Sequence, residues 1–223
     1  FFAGNNFVPH NATEKLISTH ILLIGKREER GGKERDRDNR ENYDWYRNMF
    51  RYKKRISVNE LNKEFGAISK DIEKLKTPLG FIQFVLYAIS ELFAMFLDST
   101  QPKPAWVTIR INKGDSLIEI SDNGVGLQKS YFLKEIYPKN DFSAIEFALG
   151  GLSTKNGQER GFGLFTIRKA ISSLAGEMII ESGKGLANVK KKEIKFLLKP
   201  KRKGVKVFLK VPIKNIDFYK YVE

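Results

Sequence analysis

The sequence predicts an α+β domain, and three patterns predict it. Val58, Leu61, Phe65, Ile68, Ile72 and Leu75 recur every three or four positions, the period of one apolar helical face. Residues 106–111 and 117–121 are strand-like runs on either side of Asn112-Lys113-Gly114-Asp115, a sequence suited to a hairpin turn. Further strand patterns at 178–181, 194–198 and 205–211 follow a helical stretch at 165–174.

Taken in order, Ile21-Leu22-Leu23-Ile24 reads as a short buried strand ending at Gly25. From Lys26 to Arg55 the composition turns to mixed charge, as in Glu34-Arg35-Asp36-Arg37-Asp38, and a segment with so little to bury reads as a solvated arm. Within it Tyr43, Trp45, Tyr46, Phe50 and Tyr52 interleave with Arg40, Arg47, Arg51, Lys53, Lys54 and Arg55. Such rings can stack on bases while the cations meet phosphates, or they can form the docked side of a short helix, the favoured alternative. Residues 57–76 then form an amphipathic helix, broken at Thr77-Pro78-Leu79-Gly80 because proline disfavours helical geometry in the residue before it. A second helix from Phe81 to about Ser99 is apolar nearly all round, as a helix wedged into a core would be. The helix at 165–174 is expected to end at Gly176. The organisation expected is an N-terminal appendage at 1–56 and a globular domain at 57–223, with a basic hairpin insertion at about 186–203.

A chain of 223 residues with 41% hydrophobic content can bury one full core but hardly two large ones. It holds no cysteine, which excludes a disulfide framework, a thiolate metal site and a cysteine nucleophile, and suits a reducing cytoplasm. The longest apolar run, 81–97, is interrupted by Gln83, Ser90 and Glu91, so no membrane span is expected in this chain. The net charge of +14 favours polyanionic partners, or serves only solubility.

The strongest chemical signal is Ile120-Ser121-Asp122-Asn123-Gly124-Val125-Gly126-Leu127, directly after a strand. A carboxylate at a strand end can accept a hydrogen bond from an exocyclic amine, and nearby glycines let backbone approach a planar ring. The same letters also suit an ordinary turn. A second signal is Gly150-Gly151-Leu152-Ser153-Thr154-Lys155, then Arg160-Gly161-Phe162-Gly163-Leu164 at the start of a helix. Glycines at a helix start expose successive N–H groups, and the helix dipole adds positive potential, which together can cradle phosphates.

In this order and separation the two boxes resemble those of the GHKL superfamily, the ATP-binding domain of sensor histidine kinases, DNA gyrase subunits, heat-shock chaperones and mismatch-repair ATPases. The resemblance covers Glu91 to about Pro212. It implies a Bergerat-type fold, a two-layer α/β sandwich with a mixed, mainly antiparallel sheet and helices on one face. It implies ATP as ligand, with Asp122 on the adenine, Gly124 and Gly126 shaping the floor, and Gly161, Gly163 and Leu164 at the phosphates. Ser153, Thr154, Lys155 and Arg160 would belong to a mobile lid, with Lys155 and Arg160 as cations for the β and γ phosphates.

The resemblance also places Ser90-Glu91-Leu92-Phe93-Ala94-Met95-Phe96-Leu97-Asp98 on the helix that relatives write Glu-x-x-x-Asn. Glu91 would then be the base that activates water, or else a locally paired carboxylate. Met95 stands in place of the asparagine that coordinates Mg²⁺, and a thioether is a poor ligand for that hard cation. The threonine-rich terminal strand of relatives is replaced by Gly204-Val205-Lys206-Val207 after a basic stretch, Lys190-Lys191-Lys192 and Lys199-Pro200-Lys201-Arg202-Lys203. That stretch reads as a hairpin with a cationic tip that could dock an acidic protein or nucleic acid, or as an edge strand guarded by lysines. His10, beside Pro9, and His20 offer no phosphoacceptor in a helical context, so autophosphorylation within the chain is not expected. The expected function is an ATP-dependent conformational switch with slow hydrolysis and a protein partner. Phosphorylation of a separate protein and non-hydrolysing nucleotide binding are the alternatives.

Overall fold

The computed structural model describes residues 50–97, 103–112, 114–152 and 162–222, all within Tyr43–Glu223, the second of the chain's two compact units. The strand expected at 21–24, the charged arm before Phe50 and both histidines lie outside the described residues.

Seven strands form one sheet: β1 (Phe50–Ile56), β2 (Ala105–Ile111), β3 (Asp115–Ser121), β4 (Glu177–Ser182), β5 (Gly185–Lys190), β6 (Glu193–Leu198) and β7 (Val205–Pro212), in spatial order β1-β2-β3-β7-β4-β5-β6. All six pairings are antiparallel. The expected sheet was mixed and mainly antiparallel; among the described residues it is antiparallel throughout, because β7 returns between β3 and β4 running opposite to both.

Side chains alternate across a strand, and here the alternation sorts them cleanly. Val107, Ile109, Ile118, Ile120, Val207, Leu209, Met178 and Ile180 are buried toward one face, while Trp106, Thr108, Arg110, Glu119, Lys206 and Lys210 point to the other. The buried face is roofed by α1 (Leu61–Ile72), α2 (Phe81–Leu97), α3 (Leu127–Phe132), α4 (Asp141–Leu149) and α5 (Phe162–Leu174). This is the two-layer α+β sandwich the sequence led one to expect. A last short helix, α6 (Tyr219–Val222), follows the sheet. Among the described residues no helix is long and apolar enough to cross a membrane.

Several boundaries differ from the sequence reading. The stretch read as one helix over 57–76 is a 3₁₀ turn, Val58–Glu60, followed by α1, and Leu75 lies beyond the helix end. The end of the charged arm, where a short docked helix was the favoured expectation, is instead the strand β1, whose seven residues pair in full with β2. Its inward side is tied to α1, where the Tyr52 hydroxyl donates to Glu64 at 2.7 Å and Lys54 Nζ meets the same carboxylate at 2.7 Å. Burial and that carboxylate push the Tyr52 phenol well above its ordinary pKa. Gly176 is not the left-handed end of α5. Ala175 takes that conformation at φ 56°, and the Gly176 N–H reaches back to the Ile171 carbonyl at 3.0 Å. Gly176 answers a different demand, since a Cβ there would lie 2.6 Å from the Lys210 carbonyl of β7.

The helix break has a similar cause. Gly80 sits at φ +72°, with room for no side chain because a Cβ would fall 1.8 Å from the Ile216 carbonyl. The C-terminal segment is held there by the Ile216 N–H on the Leu79 carbonyl at 2.9 Å and by Asn215 Oδ1 on the Leu79 N–H at 3.2 Å.

Candidate functional site

Strand β3 ends by delivering Asp122, which is only 8% exposed. Its carboxylate accepts from the Gly124 N–H through Oδ1 and from the Val205 N–H through Oδ2 at 3.1 Å, and its own N–H donates to the Val205 carbonyl at 2.9 Å. The carboxylate thus clamps the start of β7 to the turn after β3. An ionised carboxylate offers about four acceptor positions, so two backbone amides leave capacity for an amine donor from outside.

The turn is shaped by close packing. Gly126, at φ +81°, precedes α3, and a Cβ there would come within 3.1 Å of Ser182 Oγ, which accepts from the Leu127 N–H at 2.9 Å. Gly204, at φ +70°, lies so close that a Cβ would collide with the Asp122 carbonyl and Oδ1 at 2.3 and 2.4 Å. Arg202 reaches back to donate to the Asp122 carbonyl at 3.2 Å and stands 3.7 Å from Glu181, which also holds Lys199.

Only the first part of the basic stretch forms a cationic hairpin tip, with Lys190, Lys191 and Lys192 exposed. β5 and β6 do form a hairpin, turning at Lys191 and Lys192, and β6 is an edge strand. Residues 199–202 instead fold back against the turn between β4 and β5, with the Lys199 N–H on the Lys184 carbonyl and the Arg202 N–H on the Gly183 carbonyl, both at 3.0 Å.

The second half of the site lies where α2 packs on α5. Gly163, buried in the first turn of α5, touches Glu91 of α2 so closely that a Cβ would lie 2.1 Å from Glu91 Oε2 and 2.8 Å from Cδ. Leu164 is half-buried beside it. Tyr87, one turn before Glu91, hydrogen-bonds to Glu91 and to the buried Thr166 of α5. Burial first, and then the Glu91 charge, push the Tyr87 phenol well above its ordinary pKa, so it stays a neutral hydroxyl that donates to the carboxylate. Sequence reading missed Tyr87 and Thr166. The signal was the spacing: Tyr87 and Glu91 are i and i+4 on one helix, and Thr166 follows Gly163 by three.

Met95, the next turn along α2, is half-buried. Among the described residues no group of three His, Cys, Asp or Glu is placed to hold a metal ion. With a thioether where a hard oxygen ligand would be needed, the described residues do not fit a protein-held Mg²⁺.

Between the two halves, α4 ends at Gly151, φ +87°, and the Leu152 N–H closes back on the Phe147 carbonyl at 3.0 Å. The Tyr131 hydroxyl of α3 donates to the Leu152 carbonyl at 2.7 Å. Ser153, Thr154, Lys155, Arg160 and Gly161, the remaining members of the expected phosphate site, lie outside the described residues.

The sequence profile of the histidine kinase-, DNA gyrase B- and HSP90-like ATPases matches residues 82–214. The chain belongs to this ATPase family. The match runs from α2 to just past β7 and so contains both halves of the site. The chain is also similar to Sensor protein CitS of Halalkalibacterium halodurans, at 28% identity over 90 residues. That alignment covers 40% of this chain and 14% of the sensor protein.

Proposed function

We propose that this ATPase-family domain binds ATP through Asp122 and the first turn of α5 and acts as an ATP-dependent conformational switch with slow hydrolysis in the cytoplasm. The observation that carries this reading is the Asp122 carboxylate, buried at a strand end, oriented by two backbone amides and still able to accept from an adenine amine. Gly124 and Gly126 keep the adjoining backbone free of side chains. At the other half, the opening turn of α5 carries N–H groups without intrahelical acceptors and the positive end of the helix dipole, both suited to phosphate. Ser153, Thr154, Lys155, Arg160 and Gly161 would complete that contact.

Glu91 stands beside Gly163, so it would lie next to phosphates held there and could take a proton from attacking water. Tyr87, whose neutral hydroxyl meets the Glu91 carboxylate, would help to orient it.

The switch would be read out through α3. Tyr131 ties the Leu152 carbonyl, where the phosphate loop begins, to the helix that starts at the glycine turn. On the other side of that helix Phe132, Leu133 and Tyr137 are exposed, with the Phe132 and Tyr137 rings 5.8 Å apart, an apolar surface for a protein partner.

Met95 favours a second reading, a nucleotide-binding module that never cleaves its ligand. Phosphoryl transfer to a separate protein is a third, supported by the likeness to a sensor protein. Calorimetric titration with ATP, with magnesium and with EDTA, combined with phosphate release by wild type and Glu91→Gln, separates them. The switch requires ATP binding and a slow release of phosphate that Glu91→Gln lowers about a hundredfold or more. Equal release from both proteins removes Glu91 as the base. ATP binding without any release selects the second reading, and radiolabel passing to an added partner selects the third.

A further inference from the structure

The sheet has a second face, turned away from the helices, and its chemistry is unlike that of a solvated surface. A groove of about 550 Å³ opens there across β1, β2, β3 and β7. Trp106 and Phe208 supply aromatic surface to it, Lys53 and Arg110 supply charge, and Ser121 and Asn123 stand at its end beyond β3. Trp106 is 39% exposed, and the Arg55 guanidinium lies 5.1 Å from the centre of its ring.

The outward side chains of β1 are Arg51, Lys53 and Arg55 without exception, and in the register Arg51 lies directly opposite Arg110. Like charges facing each other across a strand pair destabilise it, so a bound anion would offset a cost the isolated sheet carries. The nearby acids do not offset it. Glu119 is paired with Lys206 at 2.9 Å and Asp115 with Lys210 at 3.2 Å, and Arg51, Lys53 and Arg110 have no ion-pair partner among the described residues.

Protection of an edge strand would account for cations on β1. It does not account for Arg110 and Trp106 on β2, or for Phe208 on β7, which are interior strands of the sheet.

We propose that this face binds single-stranded nucleic acid, with bases on Trp106 and Phe208 and phosphates on Arg51, Lys53 and Arg110. Unstacked bases of any sequence can lie on aromatic platforms while a basic strip tracks the backbone. A duplex keeps its bases stacked on one another, and a run of carboxylates alone supplies no ring for the two platforms. The proposal does not rest on the ATP reading: Ser121 and Asn123 at the groove's end flank Asp122, but the residues that carry it, Trp106, Phe208, Arg51, Lys53 and Arg110, have no part in the nucleotide site.

Fluorescence anisotropy of the full chain with labelled oligo-dT and oligo-U, each about ten nucleotides long, tests it. Binding should weaken with salt along a log–log slope of about −2, from three phosphates at about 0.7 each, and Arg110→Gln should reduce that slope by about 0.7. Trp106→Ala should weaken binding about five- to hundredfold, whereas Trp106→Phe, which keeps a platform and guards against a folding artefact, should retain most of the affinity. Neither substitution should alter ATP titration. Three results overturn the assignment: no oligonucleotide binding at low salt, displacement by excess ATP, or equal displacement by a polyglutamate peptide with Trp106→Ala unchanged.

Discussion

Asp122 is asked to do two things, and substituting it should separate them. In the folded chain its two oxygens hold the Gly124 and Val205 amides. A hydrogen bond to a charged group contributes about 1.5–3 kcal/mol, and a buried donor left without a partner costs about 1–3 kcal/mol. After Asp122→Ala the half-buried Gly124 amide can turn to water, but the amide of Val205, a residue 7% exposed, cannot do so readily. The expected loss is therefore on the order of 3 kcal/mol, a fall of roughly 6–12 °C in Tm for a domain of this size. Asp122→Asn replaces one acceptor with an NH₂ group facing a backbone N–H, so it should destabilise to a similar degree despite its matching shape. Urea unfolding measures that term, and calorimetry with ATP, well below the Tm of each variant, measures the other. Loss of the adenine contact should weaken ATP about ten- to hundredfold. Reduced stability with unchanged ATP affinity would make Asp122 a brace and nothing more, and it would refute the nucleotide assignment.

Two glycines give sharper tests of packing. Gly163→Ala puts a methyl group where Glu91 Oε2 now lies, but that oxygen is the end of a flexible side chain, and alanine favours a helix over glycine by about 1 kcal/mol. Stability should stay within about 1 kcal/mol of wild type while phosphate release falls at least tenfold. Full release in this variant would show that the position of Glu91 is immaterial. Gly80→Ala meets backbone rather than side chain and must also hold a positive φ, so it should cost about 2–4 kcal/mol in urea unfolding. An unchanged midpoint would mean that the C-terminal segment does not pack on this turn.

What could be read from the sequence is what depends on near neighbours. The periodicity of Val58 to Ile72, the apolar run that became α2, the hairpin of β2 and β3, and the glycine turn after Asp122 all rest on spacing within a few residues, and these elements formed. The ATPase family was legible for the same reason, since its boxes are short and keep their order along the chain. β1 was hidden because its outward side is entirely basic, and β-structure is decided by the strand it pairs with, here one that begins at residue 105. α3 and α4 are too short to show a period, and Asn140 caps α4 by accepting from the Ser143 N–H at 2.9 Å without a strong apolar run behind it.

Only the tertiary structure decided which groups meet. It brought Thr166 and Glu91 to Tyr87, put Glu91 against Gly163, and turned Arg202 and Gly204 into the wall behind Asp122. Each of those contacts joins residues distant in the chain, and local propensity carries no information about them. They follow from burying one face of a seven-stranded sheet under its helices, which fixes the side chains of both layers at once.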